Sequence, residues 1–430
     1  MSLARYRCSS VLFAVVTLAL RPLIGCAESS PASDLADASA PPTQQLPVDA
    51  GFVDASEPAL DASPPTDASP CSASGFCVEP ISVQKPLLAV SGTSMNDAWA
   101  IASNAILRWD GISWRTMYQS DDVLPGTGTL FGLSATKHDD LWAIGTRVLV
   151  RYSARDGNAP AFREYPISTS SNTALTTAAS YWVSPTSDEL WIFDDFVATT
   201  GVRYREVPGG TLVRERISDP PIGFPWVQSD ASFLVRSIFG FASDDIYVGG
   251  AWCTSGCSSA PAWTDFDGAI AHYDGSSWSM VTTLAKGECV SKIYATMADN
   301  GTRQLWIWTG IDGWSSPFSP GKYSIRLLSQ PEDGAAPTTV FDYPITFAGR
   351  LIGPAPPSNG AWFSNQYLLY RWNGVGLDVT PTAINGVPMG TINGIWAPNE
   401  DEAWIVGESP RRSEYDAPRG FAARRTRSAP

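Results

Sequence analysis

One pattern recurs seven times in this chain, and it limits the fold more than any other feature. An apolar strand leads into a Ser/Pro/Asn/Asp turn, and a strand carrying an aromatic residue follows. The copies read VSGTSMNDAWAIA (90–102), LSATKHDDLWAIG (133–145), VSPTSDELWIF (183–193), FGFASDDIYVGG (239–250), ATMADNGTRQLWIW (295–308), PAPPSNGAWFS (354–364) and IWAPNEDEAWIVG (395–407). Their anchor aromatics are Trp99, Trp142, Trp191, Tyr247, Trp306, Trp362 and Trp404, spaced by 43, 49, 56, 59, 56 and 42 residues. A period of about 40–50 residues built from short strands is the signature of propeller blades.

A second element completes the unit. The segments AILRWDGISWRTM (105–117), AIAHYDGSSWSMV (269–281) and LLYRWNGVGLDV (368–379) alternate apolar and polar residues on both sides of Asp-Gly or Asn-Gly. That dipeptide predicts a type I′ hairpin turn, which needs positive φ at both central residues. Each full repeat thus supplies four strands, and no stretch of 12 residues shows helical periodicity. The expected fold class is all-β, a β-propeller of seven four-stranded blades over residues 86–425, with a tail at 426–430. The last blade has an inner strand (391–397), a Trp strand (402–407) and a third strand (420–425). Its fourth is expected from residues 78–84, which removes an exposed edge.

The copies resemble the SxxDxWxxG … IxxYDGxxW repeats of secreted bacterial β-propeller lipoproteins. WD40 repeats fit less well, because the Gly-His partner of Trp109-Asp110 is missing. Gly249-Gly250…Tyr273…Trp278 resembles a single kelch repeat, and sialidase Asp-boxes separate the Asp and Gly that are adjacent here.

The amino terminus reads as an address. Arg5 and Arg7 precede an apolar run, Val11 to Leu20, which is too short to span a bilayer as a helix. It ends in Leu23-Ile24-Gly25-Cys26, which resembles the bacterial lipobox. The resemblance implies removal of residues 1–25 and lipidation of Cys26, hence a membrane partner through a lipid anchor. Ala27 after the lipid-bearing Cys favours the outer membrane of the cell envelope. Residues 26–70 are rich in Pro, Ala, Ser and Asp, contain no Lys or Arg, and are expected to form a disordered tether.

An oxidising compartment makes disulfides the default for the remaining cysteines. Cys71 and Cys77 are expected to close a small loop within the entry segment 71–85. One further pair is expected among Cys253, Cys257 and Cys289. A Cys₃His zinc site using His272 is the alternative reading of those three residues; the preferred reading has no metal.

Composition excludes some functions. The net charge is −14 with 29 Lys+Arg against 43 Asp+Glu, which argues against a nucleic-acid partner. No GxSxG, Walker A, HExxH or Rossmann motif occurs, and no cofactor is implied. Only His138 and His272 exist, and both sit inside repeats, where a structural role is expected. Asp97, Asp140, Asp245 and Asp401, just before the anchors, read as turn formers that bond local backbone amides. Asp265-Phe266-Asp267-Gly268 suggests a calcium loop but lacks a third spaced acid.

Loop length carries the functional signal. Blade 4 inserts residues 251–268 after its Trp-type strand, and blade 5 inserts 310–323. Both insertions leave from one face, with Trp252, Trp263, Phe266, Trp314 and Phe318 as candidate ligand-binding aromatics. The expected function is an envelope-anchored binding or scaffolding module for a glycan, peptide or protein. A glycan-active hydrolase or lyase on the same fold, or an envelope-assembly scaffold, is the alternative.

Overall fold

The computed structural model describes residues 71–120, 129–155, 158–167, 175, 180–193, 201–207, 210–217, 232–253, 266–286, 288–297, 301–310, 323–330, 337–345, 362–364, 368–373, 375–384, 387–410 and 417–426. Among them are 27 strands in seven antiparallel sheets and no helix. The chain enters through β1 (Phe76–Glu79). Blade 1 is β2 (Leu87–Ser94), β3 (Asp97–Ala102), β4 (Ala105–Trp109) and β5 (Trp114–Gln119). Blade 2 is β6 (Leu130–Lys137), β7 (Asp140–Gly145), β8 (Val148–Arg155) and β9 (Asn158–Pro166). Blade 3 is β10 (Ser180–Val183), β11 (Glu189–Phe193), β12 (Val202–Glu206) and β13 (Leu212–Arg216).

Blade 4 is β14 (Ser232–Ala242), β15 (Asp245–Cys253), β16 (Phe266–Tyr273) and β17 (Trp278–Lys286). Blade 5 is β18 (Cys289–Met297), β19 (Arg303–Gly310), β20 (Tyr323–Gln330) and β21 (Thr338–Ile345). Blade 6 has three described strands, β22 (Trp362–Ser364), β23 (Leu369–Trp372) and β24 (Leu377–Thr380). Blade 7 is β25 (Thr391–Trp396), β26 (Ala403–Glu408) and β27 (Gly420–Arg425), completed by β1. The molecule is a seven-bladed β-propeller.

The ring closes because β1 pairs with β27, with Phe76 opposite Arg425 and Glu79 opposite Ala422. The closing strand is thus 76–79, shifted from the expected 78–84, because the register is set earlier, by the Cys71–Cys77 disulfide and by burial of Phe76. Phe76 is fully buried and meets Trp362 edge-on at 5.8 Å. Arg424 Nε donates to Glu79 Oε1 at 2.6 Å across the same pair of strands.

The core is seven seams between blades. Each apolar cluster draws on two adjacent blades. The anchor aromatics explain why the repeat exists: each fills the seam toward the next blade. Trp99 packs with Leu141 and Tyr152 of blade 2, Trp191 with Ile246 and Val248 of blade 4, and Trp362 with Ile392 and Ile405 of blade 7. Trp404 closes the ring on blade 1, with ring centroids 5.2 Å from Trp109 and 5.0 Å from Trp114. All seven anchors are buried to at least 96%.

The hairpins differ from expectation. In blades 1 and 4 the glycine alone takes positive φ, Gly111 at 93° and Gly275 at 90°. Asp110 and Asp274 precede the turn and cap it. Asp110 Oδ1 accepts the amides of Ile112 and Ser113 at 3.0 and 2.9 Å, and Asp274 Oδ1 accepts those of Ser276 and Ser277 at 2.9 and 2.7 Å. Asn373 does the same in blade 6. The side chain satisfies the turn amides directly, so a type I′ geometry is not required. The amide bonds hold the Asp274 carboxylate far below its ordinary range.

Candidate functional site

Two sets of polar residues line this ring, one at the turn-side rim and one at the axis. The rim set is built on the anchors. Directly across from the anchor, on the third strand of six of the blades, stands an arginine or a histidine. Trp99 pairs with Arg108, Trp142 with Arg151, Trp191 with Arg203, Tyr247 with His272, Trp362 with Arg371 and Trp404 with Arg424; in blade 5, Trp306 faces Leu327. The guanidinium groups lie 4.7 to 5.9 Å from the anchor ring centroids, a cation–π distance. His272 lies 4.5 Å from Tyr247.

The acids expected to form turns instead bind these arginines and the histidine. Asp97 accepts from Arg108 Nε at 2.9 Å, from Thr93 Oγ1 at 2.7 Å, and meets His138 Nδ1 at 2.8 Å. Asp140 accepts from Arg151 Nη2 at 3.0 Å, and Asp245 Oδ1 from His272 Nε2 at 2.7 Å. Several pairs cross a seam: Arg108 to Asp139 at 2.7 Å, Arg151 to Asp188 at 3.1 Å, Asp245 to Arg303 at 2.6 Å, and Arg371 to Asp401 at 3.0 Å. An aromatic seam holds the cation close to the carboxylate, so pairing outcompetes local capping. Burial pushes the Asp97 carboxyl up, but its bonds from Thr93 and His138 and the Arg108 charge outweigh this and lower it. Burial dominates at Asp140 and raises it despite Arg151.

The second set surrounds a cavity of about 420 Å³ on the propeller axis, lined by the inner strands of blades 1 to 5 and 7. Inner strands of neighbouring blades are joined here by side chains bonding to backbone. Ser91 Oγ accepts the Ala135 amide at 2.9 Å, and Tyr181 Oη the Leu133 amide at 2.9 Å. Ser180 Oγ donates to the Arg236 carbonyl at 2.7 Å. Ser237 Oγ accepts the Ile293 amide at 3.0 Å, and Asn393 Nδ2 donates to the Leu87 carbonyl at 2.9 Å. Two glycines permit this close approach: a Cβ on Gly132 would lie 2.5 Å from the Tyr181 ring, and one on Gly240 2.8 Å from Trp182.

The lining is asymmetric. At the inner-strand position opposite the anchor, blades 3, 4, 5 and 7 carry Trp182, Phe239, Tyr294 and Trp396. Blades 1 and 2 carry Ser91 and Ser134 at the same position. An aromatic wall therefore stands beside a hydroxyl wall, to which Thr136 adds. Among the described residues Lys292 is the one charged side chain of the lining.

The sequence-predicted residues fall elsewhere. Trp252, Cys253 and Phe266 are not in a loop: β15 and β16 run on, pairing Trp252 with Asp267 and Cys253 with Phe266. The blade 4 insertion therefore shortens from 251–268 to 254–265, and that of blade 5 from 310–323 to 311–322, since Gly310 and Tyr323 pair. Trp263, Trp314, Phe318 and Cys257 lie outside the described residues, as do Cys26 and the whole of 1–70. Cys289 is buried at the first position of β18, at the insertion end of the ring. The zinc alternative fails on geometry. His272 pairs with Tyr247 near the turn end of β15, and at ~3.3 Å per residue Cys253 lies about 20 Å away at the other end. No group of three metal-ligating side chains occurs among the described residues.

No family model and no curated protein matches this chain. Solved structures of similar fold include YCF48 bound to D1 peptide, 13% identical with a TM-score of 0.48, covering 85% of this chain and 100% of that one. Virginiamycin B lyase from Staphylococcus aureus is 11% identical with a TM-score of 0.49, covering 80% and 96%. Penicillium chrysogenum alpha-L-arabinanase complexed with arabinobiose is 12% identical with a TM-score of 0.40, covering 81% and 96%. These are likenesses of fold.

Proposed function

We propose that this protein is a lipid-anchored binding module of the bacterial cell envelope, presenting its propeller to a small saccharide. The axial cavity is the observation that carries this reading. About 420 Å³ falls in the range of ligand pockets, about 300–1,000 Å³. A pyranose offers an apolar C–H face and a rim of hydroxyls, which match the aromatic and hydroxyl walls. The rim acids support binding over hydrolysis: Asp97, Asp140, Asp245 and Asp401 each meet an Arg or His. A glycosidase instead needs carboxyls turned toward the bond they cleave.

Anchoring rests on Leu23-Ile24-Gly25-Cys26 and the tether after it. The aromatic residues Trp263, Trp314 and Phe318 belong to the blade 4 and blade 5 insertions, outside the described residues. A glycan array probed with the full chain tests the binding reading. Capture of saccharides, lost on Ser134→Leu with the melting temperature unchanged, supports it; an array without signal from a folded chain refutes it. Cys26→Ser is expected to move the protein from the membrane to the soluble fraction.

A further inference from the structure

We infer that the turn-side rim holds a binding site for a tetrahedral oxyanion, phosphate or sulfate, where Arg371 of blade 6 and Arg425 of blade 7 share the Trp362 ring. A break in the repeat marks the place. In four other seams the anchor meets an aromatic ring from the third strand of the following blade. Trp99 meets Tyr152 at 5.2 Å, Trp191 meets Tyr273 at 5.8 Å, Trp306 meets Trp372 at 5.1 Å and Trp404 meets Trp109 at 5.2 Å. These rings hold one position of the repeat, next after the residue on the third strand that stands across from an anchor or its counterpart. The register sets Trp109 opposite Ala98, Tyr152 opposite Leu141 and Tyr273 opposite Ile246. In blade 7 that position is Arg425, opposite Ala403. Trp362 therefore receives a guanidinium, 5.3 Å from its ring centroid, where its counterparts receive a ring.

Arg425 is half-buried, yet among the described residues its guanidinium has neither an ion pair nor a hydrogen bond. Its neighbour Arg424 is occupied by Glu79 at 2.6 Å. The second charge on the Trp362 ring is Arg371, 5.8 Å from the same centroid. Arg371 donates Nη2 to Asp401 at 3.0 Å and keeps Nη1 for a further acceptor. Burial, and next the Arg371 charge, holds the Arg425 guanidinium below its ordinary value, and Asp401 offsets this only in part. A half-buried charge without a counter-charge is destabilising. A bound anion removes that penalty.

The donors select the anion. A guanidinium presents its N–H groups as a planar fork, and one fork satisfies the two oxygens of a carboxylate. Two forks from adjacent blades suit a group whose oxygens point in more directions, which is a phosphate or a sulfate. The shared ring holds both forks against apolar surface, and Phe76 meets that ring edge-on at 5.8 Å. Hydrogen bonds to an anion are stronger in such surroundings than in open water. The net charge of −14 repels anions at long range, so the local pair has to carry the binding. Neither arginine lines the axial cavity, so this site stands or falls apart from the saccharide reading.

The test titrates the full chain calorimetrically with sodium phosphate, sulfate and acetate at constant ionic strength. Phosphate and sulfate are expected to bind, and acetate to bind at least about tenfold more weakly. Arg425→Gln should weaken phosphate by at least about tenfold, as loss of a charge-assisted bond implies. Arg425→Tyr restores the residue type of the other blades. It should abolish phosphate binding and raise the melting temperature measured without phosphate. Glycerol 3-phosphate, set against phosphatidylcholine vesicles containing phosphatidic acid, separates a soluble phosphate from a lipid headgroup. Both chains carry Cys26→Ser in that arm, so that no lipid anchor holds them, and loss of either ligand on Arg425→Gln supports the site. A parent that binds neither phosphate nor sulfate, acetate that matches phosphate, or an Arg425→Gln variant that binds like the parent overturns the inference. An Arg425→Tyr variant that melts below the parent without phosphate overturns the claim that Arg425 is kept for a ligand. In every case the axial reading is untouched.

Discussion

The rim and the axis use the same residue types and reach opposite results. At the rim, an indole, a guanidinium and a carboxylate form a closed set. Arg151 is almost fully buried on Trp142 and shared by Asp140 and Asp188. At the axis, Trp182, Tyr294 and Lys292 line a cavity. The difference is position along the blade. Near the rim the blades meet face to face, so aromatic and ionic groups satisfy one another across a seam. At the axis the inner strands converge but do not pair through their backbones. Side chains such as Ser91 and Tyr181 must bridge them, and space remains. Closure of the ring therefore depends on the rim, and the proposed recognition site lies at the axis.

The strongest break of this contrast is Trp404→Ala. Trp404 is fully buried and joins blade 7 to Trp109 and Trp114. Its loss should cost about 5 kcal/mol, the upper end for removing a core aromatic, seen as a fall in the denaturant midpoint of the whole domain. A local effect confined to blade 7 would mean that the ring does not close cooperatively.

Arg151→Ala comes next, at about 3 kcal/mol, because it leaves the buried Asp140 carboxylate without its cation. Arg151→Met with Asp140→Leu should recover most of that loss. If the double variant were as unstable as the single one, the rim cations would act by shape and not by charge. Cys71→Ser with Cys77→Ser should cost about 2 kcal/mol, given the short loop the bond closes. It weakens the register of β1 while leaving ligand affinity intact.

One rim acid is expected to make stability depend on pH. Asp97 has a lowered pKa in the folded state, so it contributes stability at neutral pH. That contribution is present above its unfolded value and is lost as pH falls through the folded one. Asp97→Asn should therefore be less stable than the parent at pH 7, and the two should converge as pH drops below 4. Parallel curves would show that Asp97 does not drive acid unfolding.

How much of this was legible depends on which strand carries the signal. The anchors lie on the second strand of each blade, beside a turn of fairly constant length, so blade count and order could be read from Trp99 to Trp404. The rim cations were hidden by loop length. From anchor to cation the chain runs 9 residues in blades 1, 2 and 6, but 12 in blade 3, 25 in blade 4 and 20 in blade 7. Insertions between paired strands erase a spacing that the sheet restores. The axis was less legible still: the equivalent inner-strand positions hold Ser91, Ser134, Trp182, Phe239, Tyr294 and Trp396, with no shared chemistry to reveal them.

The smallest expected effect tests the contrast most finely, because it compares two serines in the same structural position. Ser91 and Ser134 each stand opposite the anchor of their blade. Ser91 also holds the Ala135 amide of the next inner strand. At the equivalent seam of blade 2, Tyr181 reaches back to the Leu133 amide, and Gly132 gives it room. Ser91→Ala therefore strands an amide and should cost about 1 kcal/mol. Ser134→Ala removes a cavity-lining hydroxyl and should change stability by no more than about 0.5 kcal/mol, while weakening any saccharide found to bind. Chemical denaturation of both variants, with calorimetry on the bound sugar, separates the two roles. If the serines proved equally costly to stability, the hydroxyl wall would belong to the scaffold on both blades, and the proposed recognition would have to rest on the aromatic wall alone.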